Sequence, residues 1–148
     1  MTNEGLKVRF ELEDGGIEVM HARALSNDEI VLDNIPFYAY GVSCGDVISV
    51  RCSDDGLVFV GVAERRGHST YRVKMAASAA HETFLTRWGE LERLGCSYEG
   101  SSVNRRLLYA LDVPPGAPVN TIYEILEQGE ADGCWDFEEG NYCPSNEA

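Results

Sequence analysis

The fold is decided between residues 69 and 139, where the chain runs STYRVKM (69–75), AHETFLTRWGELERLG (80–95), CSYEG (96–100), RRLLYALDV (105–113), VNTIYEILEQGEADG (119–133) and CWDFEE (134–139). In the first segment Tyr71, Val73 and Met75 alternate with Arg72 and Lys74, the period of a strand with one covered face. In the second, Phe84, Leu85, Trp88, Leu91 and Leu94 recur at helical spacing and form one apolar stripe. Ser78 is placed to cap that helix, Glu82 lies in its first turn, and Gly95 can end it in the left-handed conformation. A short and a longer strand follow. Pro114-Pro115-Gly116 blocks continuation, and Pro118 suits the first turn of a second helix buried along Val119, Ile122, Leu126 and Gly129. CWDFEE is the last strand. The order β-α-β-β-α-β is the split arrangement of ferredoxin-like domains, with two helices on one face of a four-stranded antiparallel sheet. The last strand then lies at an edge, where Asp136, Glu138 and Glu139 discourage sheet-to-sheet aggregation.

Upstream, the pattern changes to short strands. In LKVRFELE (6–13), Leu6, Val8, Phe10 and Leu12 share one face and Lys7, Arg9, Glu11 and Glu13 the other. Asp14-Gly15-Gly16 makes a tight turn into IEVMHARAL (17–25), and Ser26-Asn27-Asp28 makes another into EIVLDN (29–34). Val47–Cys52 and Leu57–Glu64 flank Ser53-Asp54-Asp55-Gly56, a hairpin signal. Five closely spaced strands predict a small β-barrel or curled sheet. The expectation is therefore an α+β chain. It has a β-rich subdomain over 1–66, a ferredoxin-like subdomain over 67–142 and a frayed tail over 143–148, joined only by Arg65-Arg66-Gly67-His68.

Charge is the other guide. Nine acids and no base follow Arg106, in a chain of net charge −13. Such a field opposes nucleic acid and anionic membranes and attracts basic partners. No apolar run reaches the length of a membrane span, and the opening MTNEGLKVRF lacks a signal-peptide core. Five cysteines, an odd number without a Cys-x-x-Cys, fit reduced thiols in the cytoplasm.

No catalytic constellation is legible. His21, His68 and His81 lie too far from other ligand types to pair in sequence, so neither a metal nor another cofactor is expected. His68-Ser69 are sequence neighbours, which catalytic pairs are not, and there is no Gly-x-Ser-x-Gly elbow. Cys44, in the loop that also carries the aromatics, is the candidate reactive thiol. Gly41-Val42-Ser43-Cys44-Gly45 leads into a strand, not a helix, so it is no phosphate loop. Between the strands lies IPFYAYGVSCGDV (35–47), whose Phe37, Tyr38 and Tyr40 either plug the seam between the halves or line a site there.

With these residues in view, LDNIPFYAYGVSCGDVI (32–48) and ERRGHSTYRV (64–73) resemble a bacterial family described as domain of unknown function 4265. LERLGCSYEG, RLLYALDVPP and EQGEADGCWDFEE add to the resemblance, which runs from Leu6 to Tyr142. It implies no activity, cofactor or catalytic residue, and it marks the aromatic loop and Gly67–Arg72 as the segments of interest.

The first expectation for function is a non-catalytic acidic protein-binding module, such as an immunity or antitoxin protein that neutralises a basic toxin. Its contacts would be Asp132, Asp136, Glu138 and Glu139, with Trp135 and Tyr142 as aromatic anchors. The alternative is a small-molecule-sensing or regulatory domain with a pocket at the seam, drawn from Phe37, Tyr38, Tyr40, Cys44, Arg66, His68, Tyr71 and Arg72.

Overall fold

A computed structural model describes residues 5–26 and 28–144. Five strands make the first half: β1 (Leu6–Glu11), β2 (Ile17–Ala24), β3 (Glu29–Leu32), β4 (Val47–Ser53) and β5 (Gly56–Glu64). Each pairs antiparallel with the next, and β5 returns to β1 in a short parallel pairing at Val8↔Leu57 and Arg9↔Val58, so the sheet closes into a ring. The alternation of LKVRFELE sets the inside. Val8 and Phe10 join Met20, Ala22, Ile30, Leu32 and Ile48 in its core. Asn27 of the expected second turn lies outside the described residues; beside it, Ser26 N–H donates to Glu29 O at 3.0 Å.

The second half contains β6 (Ser69–Met75), α1 (His81–Arg93), β7 (Ser97–Val103), β8 (Arg106–Val113), α2 (Val119–Ala131) and β9 (Trp135–Asn141). Its sheet has the order β7-β8-β6-β9, antiparallel throughout, with β9 at an edge. Both helices cover one face. Tyr71, Val73, Met75, Tyr109 and Leu111 meet Phe84, Trp88, Leu91, Ile122 and Leu126 there in a second core. The stripe Val119, Ile122, Leu126 and Gly129 is buried as its spacing requires. Gly95 follows α1 at φ 107°, the left-handed conformation that ends the helix.

Some local expectations are corrected. α1 begins at His81 behind Ala80, with no side-chain cap. Ser78 sits at φ 72° in the preceding turn, so its hydroxyl is not the cap. Leu85 is exposed, because Phe84, Trp88 and Leu91 already fill the stripe facing the sheet. Pro118 occupies the capping position, one residue ahead of the first turn. The tail is tied down one residue further than expected, since Cys143 N–H donates to Ser69 Oγ at 2.8 Å; residues 145–148 lie outside the described residues. Among the described residues, no helix is long and apolar enough to cross a membrane.

Candidate functional site

The side of the second sheet opposite the helices faces the ring, and strand periodicity decides what stands there. Along β6, Tyr71, Val73 and Met75 point to the helices, so Thr70, Arg72 and Lys74 point to the ring. At Thr70 the seam is shut. Its hydroxyl lies 2.6 Å from Ser43 Oγ and donates to Val42 O, and Asn141 Nδ2 donates to Ser43 Oγ at 2.9 Å. Thr70 and Ser43 are fully buried.

Two residues on, Arg72 holds the aromatic loop. This guanidinium is only 2% exposed, which would be untenable without partners. Nε donates to Glu138 Oε2 at 2.9 Å, Nη1 to Ala39 O at 2.8 Å and Pro36 O at 3.4 Å, and Nη2 to Tyr38 O at 3.4 Å. The Tyr40 ring stacks 4.7 Å from Cζ, and its hydroxyl donates to Glu138 Oε1 at 2.7 Å. That bond to a carboxylate holds the Tyr40 pKa above its ordinary value.

The same loop is gripped from the other side by Glu18. Its carboxylate accepts from the backbone N–H groups of Phe37 (2.7 Å), Tyr38 (3.1 Å) and Ala39 (2.8 Å). Residues 36–39 thus present carbonyls to a buried cation and amides to a buried anion. Sequence reasoning missed Glu18, but a signal existed. Phe10 pairs with Glu18, Val8 with Met20 and Leu6 with Ala22, so the inward phase of β1 forces Glu18 inward. Ile17 and Val19 are pushed to solvent in exchange.

At Lys74 the halves part, leaving a cleft of about 740 Å³. Its ring wall carries Phe10 stacked on Phe59 at 4.4 Å, with Leu12, Glu11, Glu13 and Asp14 along the rim. Its sheet wall carries Lys74, Arg106, Leu108, Val103 and Asp136. Phe37, Tyr38 and Tyr40 close the inner end beside Arg72 and Glu138. Tyr38 and Tyr40 are exposed, so these aromatics line the seam without filling it.

Of the eight residues expected at the seam, Phe37, Tyr38, Tyr40 and Arg72 meet at this cleft. The other four do not reach it. Tyr71 is buried under the helices, because its neighbours in phase are Val73 and Met75; its hydroxyl donates to Glu139 Oε1 at 3.1 Å. Arg66 is exposed and pairs with Glu64 at 2.8 Å. Neither Cys44 nor His68 lines the cleft. His68 Nδ1 lies 2.9 Å from both carboxylate oxygens of Asp112, and this bond raises the His68 pKa above 6.5 against the opposing effect of burial. The ring rests against Gly45, where a Cβ would lie 3.1 Å from Nε2.

Cys44 is not the reactive thiol its loop position suggests. Burial first, then the Asp112 charge, push its pKa up to about 12, so it stays protonated at neutral pH. Asp46, nearly inaccessible, accepts from Ser43 N–H and Arg66 N–H, and burial raises its pKa. Among the described residues, no group of three or more His, Cys, Asp or Glu is placed to hold a metal ion.

The residues expected to form one acidic docking face do not share a face. Trp135 is 3% exposed, with Nε1 donating to Leu126 O at 3.0 Å, so it is a core residue and not an anchor. Asp132, after α2, pairs with Arg87 at 2.6 Å. Asp136 and Glu138 face the ring and pair with Arg106 (3.5 Å) and Arg72. Glu139 points to the helix side, under Tyr71, while Tyr142 is exposed.

Comparison with known proteins fits this architecture. A family model described as a domain of unknown function (DUF4265) matches residues 18–137, and the chain belongs to that family. No match was found among curated proteins. A solved structure, the "novel crystal structure of a hypothetical protein from Neisseria gonorrhoeae", is similar over 98% of this chain and 99% of that one. The TM-score is 0.74 at 16% identity, a likeness of fold alone.

Proposed function

We propose that this protein is a small-molecule-binding or regulatory domain whose ligand occupies the cleft between its two halves. One observation carries the reading. The seam is locked by buried polar contacts at Thr70, Ser43 and Asn141, yet stands open at Lys74, with an aromatic floor and charged rims around about 740 Å³. Mostly apolar concavities of this size with a few placed polar groups are where small ligands bind. The half-buried Cys44 is held protonated and the half-buried His68 is tied to Asp112, which supports a binding role over an enzymatic one. The sheet order and the two helices support a ferredoxin-like reading of the second half, with the ring as a small barrel seated on its free face. We place the protein in the cytoplasm on its unpaired cysteines. A metabolite screen by thermal shift tests the reading: a hit should raise Tm in the native chain and not in Val103→Trp, which narrows the cleft. Hits that stabilise both proteins equally would refute it.

A second reading, docking of a basic protein partner such as a toxin domain, is favoured by the groove between α2 and β9. There Glu127, Glu130 and Glu139 surround Tyr123 and Phe137, and none of the three is ion-paired among the described residues. Capture from the host at low and moderate salt tests it: a basic partner lost on Glu127→Lys supports it, and one retained there does not.

A further inference from the structure

Resting on the cleft reading, we infer that the ligand is a zwitterion with an apolar body, a peptide of two or three residues with free termini. The two walls at the open end carry opposite residual charge. On the sheet wall Arg106 is partly spent, with Nε on Met75 O at 2.8 Å and Nη2 on Asp136 at 3.5 Å. Lys74 beside it is exposed and has no ion-pair partner among the described residues. On the ring wall, Glu11 reaches Arg51 only at 4.0 Å, Asp14 accepts a turn N–H, and Glu13 forms no ion pair among the described residues. Among the described residues, no ion pair crosses the gap.

Each simpler ligand leaves a mismatch. A plain anion that meets Lys74 also faces three carboxylates. A plain cation that meets Glu13 and Asp14 faces Lys74 and Arg106. A neutral apolar molecule fills the floor of Phe10, Phe59 and Leu108 and uses neither rim. A zwitterion satisfies both: an ammonium toward Glu13 and Asp14, a carboxylate toward Lys74 and Arg106, and side chains on the aromatic floor. A free amino acid holds its two charges on one carbon, whereas the two rims are on facing walls. Two or three residues, at about 3.5 Å each, put the charges at opposite ends of a body suited to a cleft of about 740 Å³.

The test uses the whole 15N-labelled chain and leucyl-phenylalanine, with its N-acetyl and C-amide forms. Amide shift changes are followed at residues 10–14, 72–74, 103–108 and 136–138. The free dipeptide should shift these residues, and each blocked end should weaken it roughly twofold to fivefold, as for exposed charge pairs. Lys74→Met should weaken the free form and reduce the difference between it and the C-amide, with Arg106 keeping the remainder. Glu13→Gln should reduce that between it and the N-acetyl form. Blocked forms that bind as tightly as the free one overturn the zwitterion. So does a simple carboxylate, amine or neutral aromatic that shifts the same residues when the dipeptide does not. In both cases the cleft still stands as a site. If neither the dipeptides nor a diverse fragment set shifts any cleft residue, the cleft reading falls as well.

Discussion

Removing the Glu18 carboxylate should release the aromatic loop and cost more than its small size suggests. The oxygens take three backbone donors, with Oε2 on Phe37 N–H and Oε1 on Tyr38 and Ala39 N–H. In Glu18→Ala none of these has a replacement in the fold. Tyr38 is exposed enough for water to reach its amide, while Ala39 is 5% exposed and Phe37 half-buried. Two orphaned donors at about 1–3 kcal/mol each put the loss near 2–6 kcal/mol. Glu18→Gln keeps an oxygen for Tyr38 and Ala39 but turns an amide toward Phe37 N–H, so it should lose about 1–3 kcal/mol. Because Arg72 grips the carbonyls of the same loop, Glu18→Ala and Arg72→Leu should not add, and a coupling of about 1–3 kcal/mol is expected. Urea unfolding of the four proteins at neutral pH measures this, with amide shifts of residues 36–40 reporting the loop. An alanine variant within about 0.5 kcal/mol of the parent, the spread of ordinary surface substitutions, would refute the two-sided clamp.

Gly140→Ala tests the clamp from beneath: an added Cβ runs into the Arg72 guanidinium, so about 1–3 kcal/mol should be lost and the Tyr40 ring displaced, read by unfolding and ring-proton shifts. His68 carries a pH dependence of definite sign. Its pKa is raised in the fold by Asp112, so the pair's stabilisation is fully present below pH 6.5 and declines as pH rises through the folded value. The stability gap between the parent and His68→Gln should therefore be widest at the acidic end and narrow on the alkaline side; a constant gap would contradict it. Thiol labelling at neutral pH should modify exposed Cys52 first and leave Cys44 and Cys96, both raised to about 12, until the chain unfolds, as peptide mapping would show.

Much of the second half is legible because its signals are local. The stripes of both helices, the left-handed glycine after α1 and the Tyr71, Val73, Met75 alternation are written within one element each, and each fixes which face is buried. The candidate site is less legible because it depends on register between elements. Glu18 looks like an outward residue flanked by Ile17 and Val19 until β1 pairs with β2, and only then does its inward phase follow. Trp135 looks like an exposed anchor amid acids, yet Gly129 on α2 leaves room for its ring; an added Cβ there would collide with the indole. The turn between β7 and β8 was equally hidden, since Asn104 and Arg105 both adopt positive φ without a glycine to announce it.

Charge patterning shows the same limit. The nine acids after Arg106 form a block in sequence, but antiparallel pairing lays β9 along β6, and β6 is where cations stand. Arg72 pairs across to Glu138, Arg106 at the start of β8 meets Asp136, and Arg87 of α1 meets Asp132 after α2. Segregation along the chain thus becomes pairing in space wherever a strand or helix end brings a guanidinium alongside. What stays unpaired is set by topology. In the groove between α2 and β9, Glu127 and Glu130 have no cationic partner among the described residues. At the mouth of the cleft, Lys74 and Glu13 form no ion pair among the described residues. Long-range attraction would draw a cationic molecule toward the first surface. The second supplies charges of both signs beside an aromatic floor, which a uniformly basic partner cannot match. On the cleft reading, selectivity would be set by the paired rims of the cleft, whatever the net charge of −13 attracts from a distance.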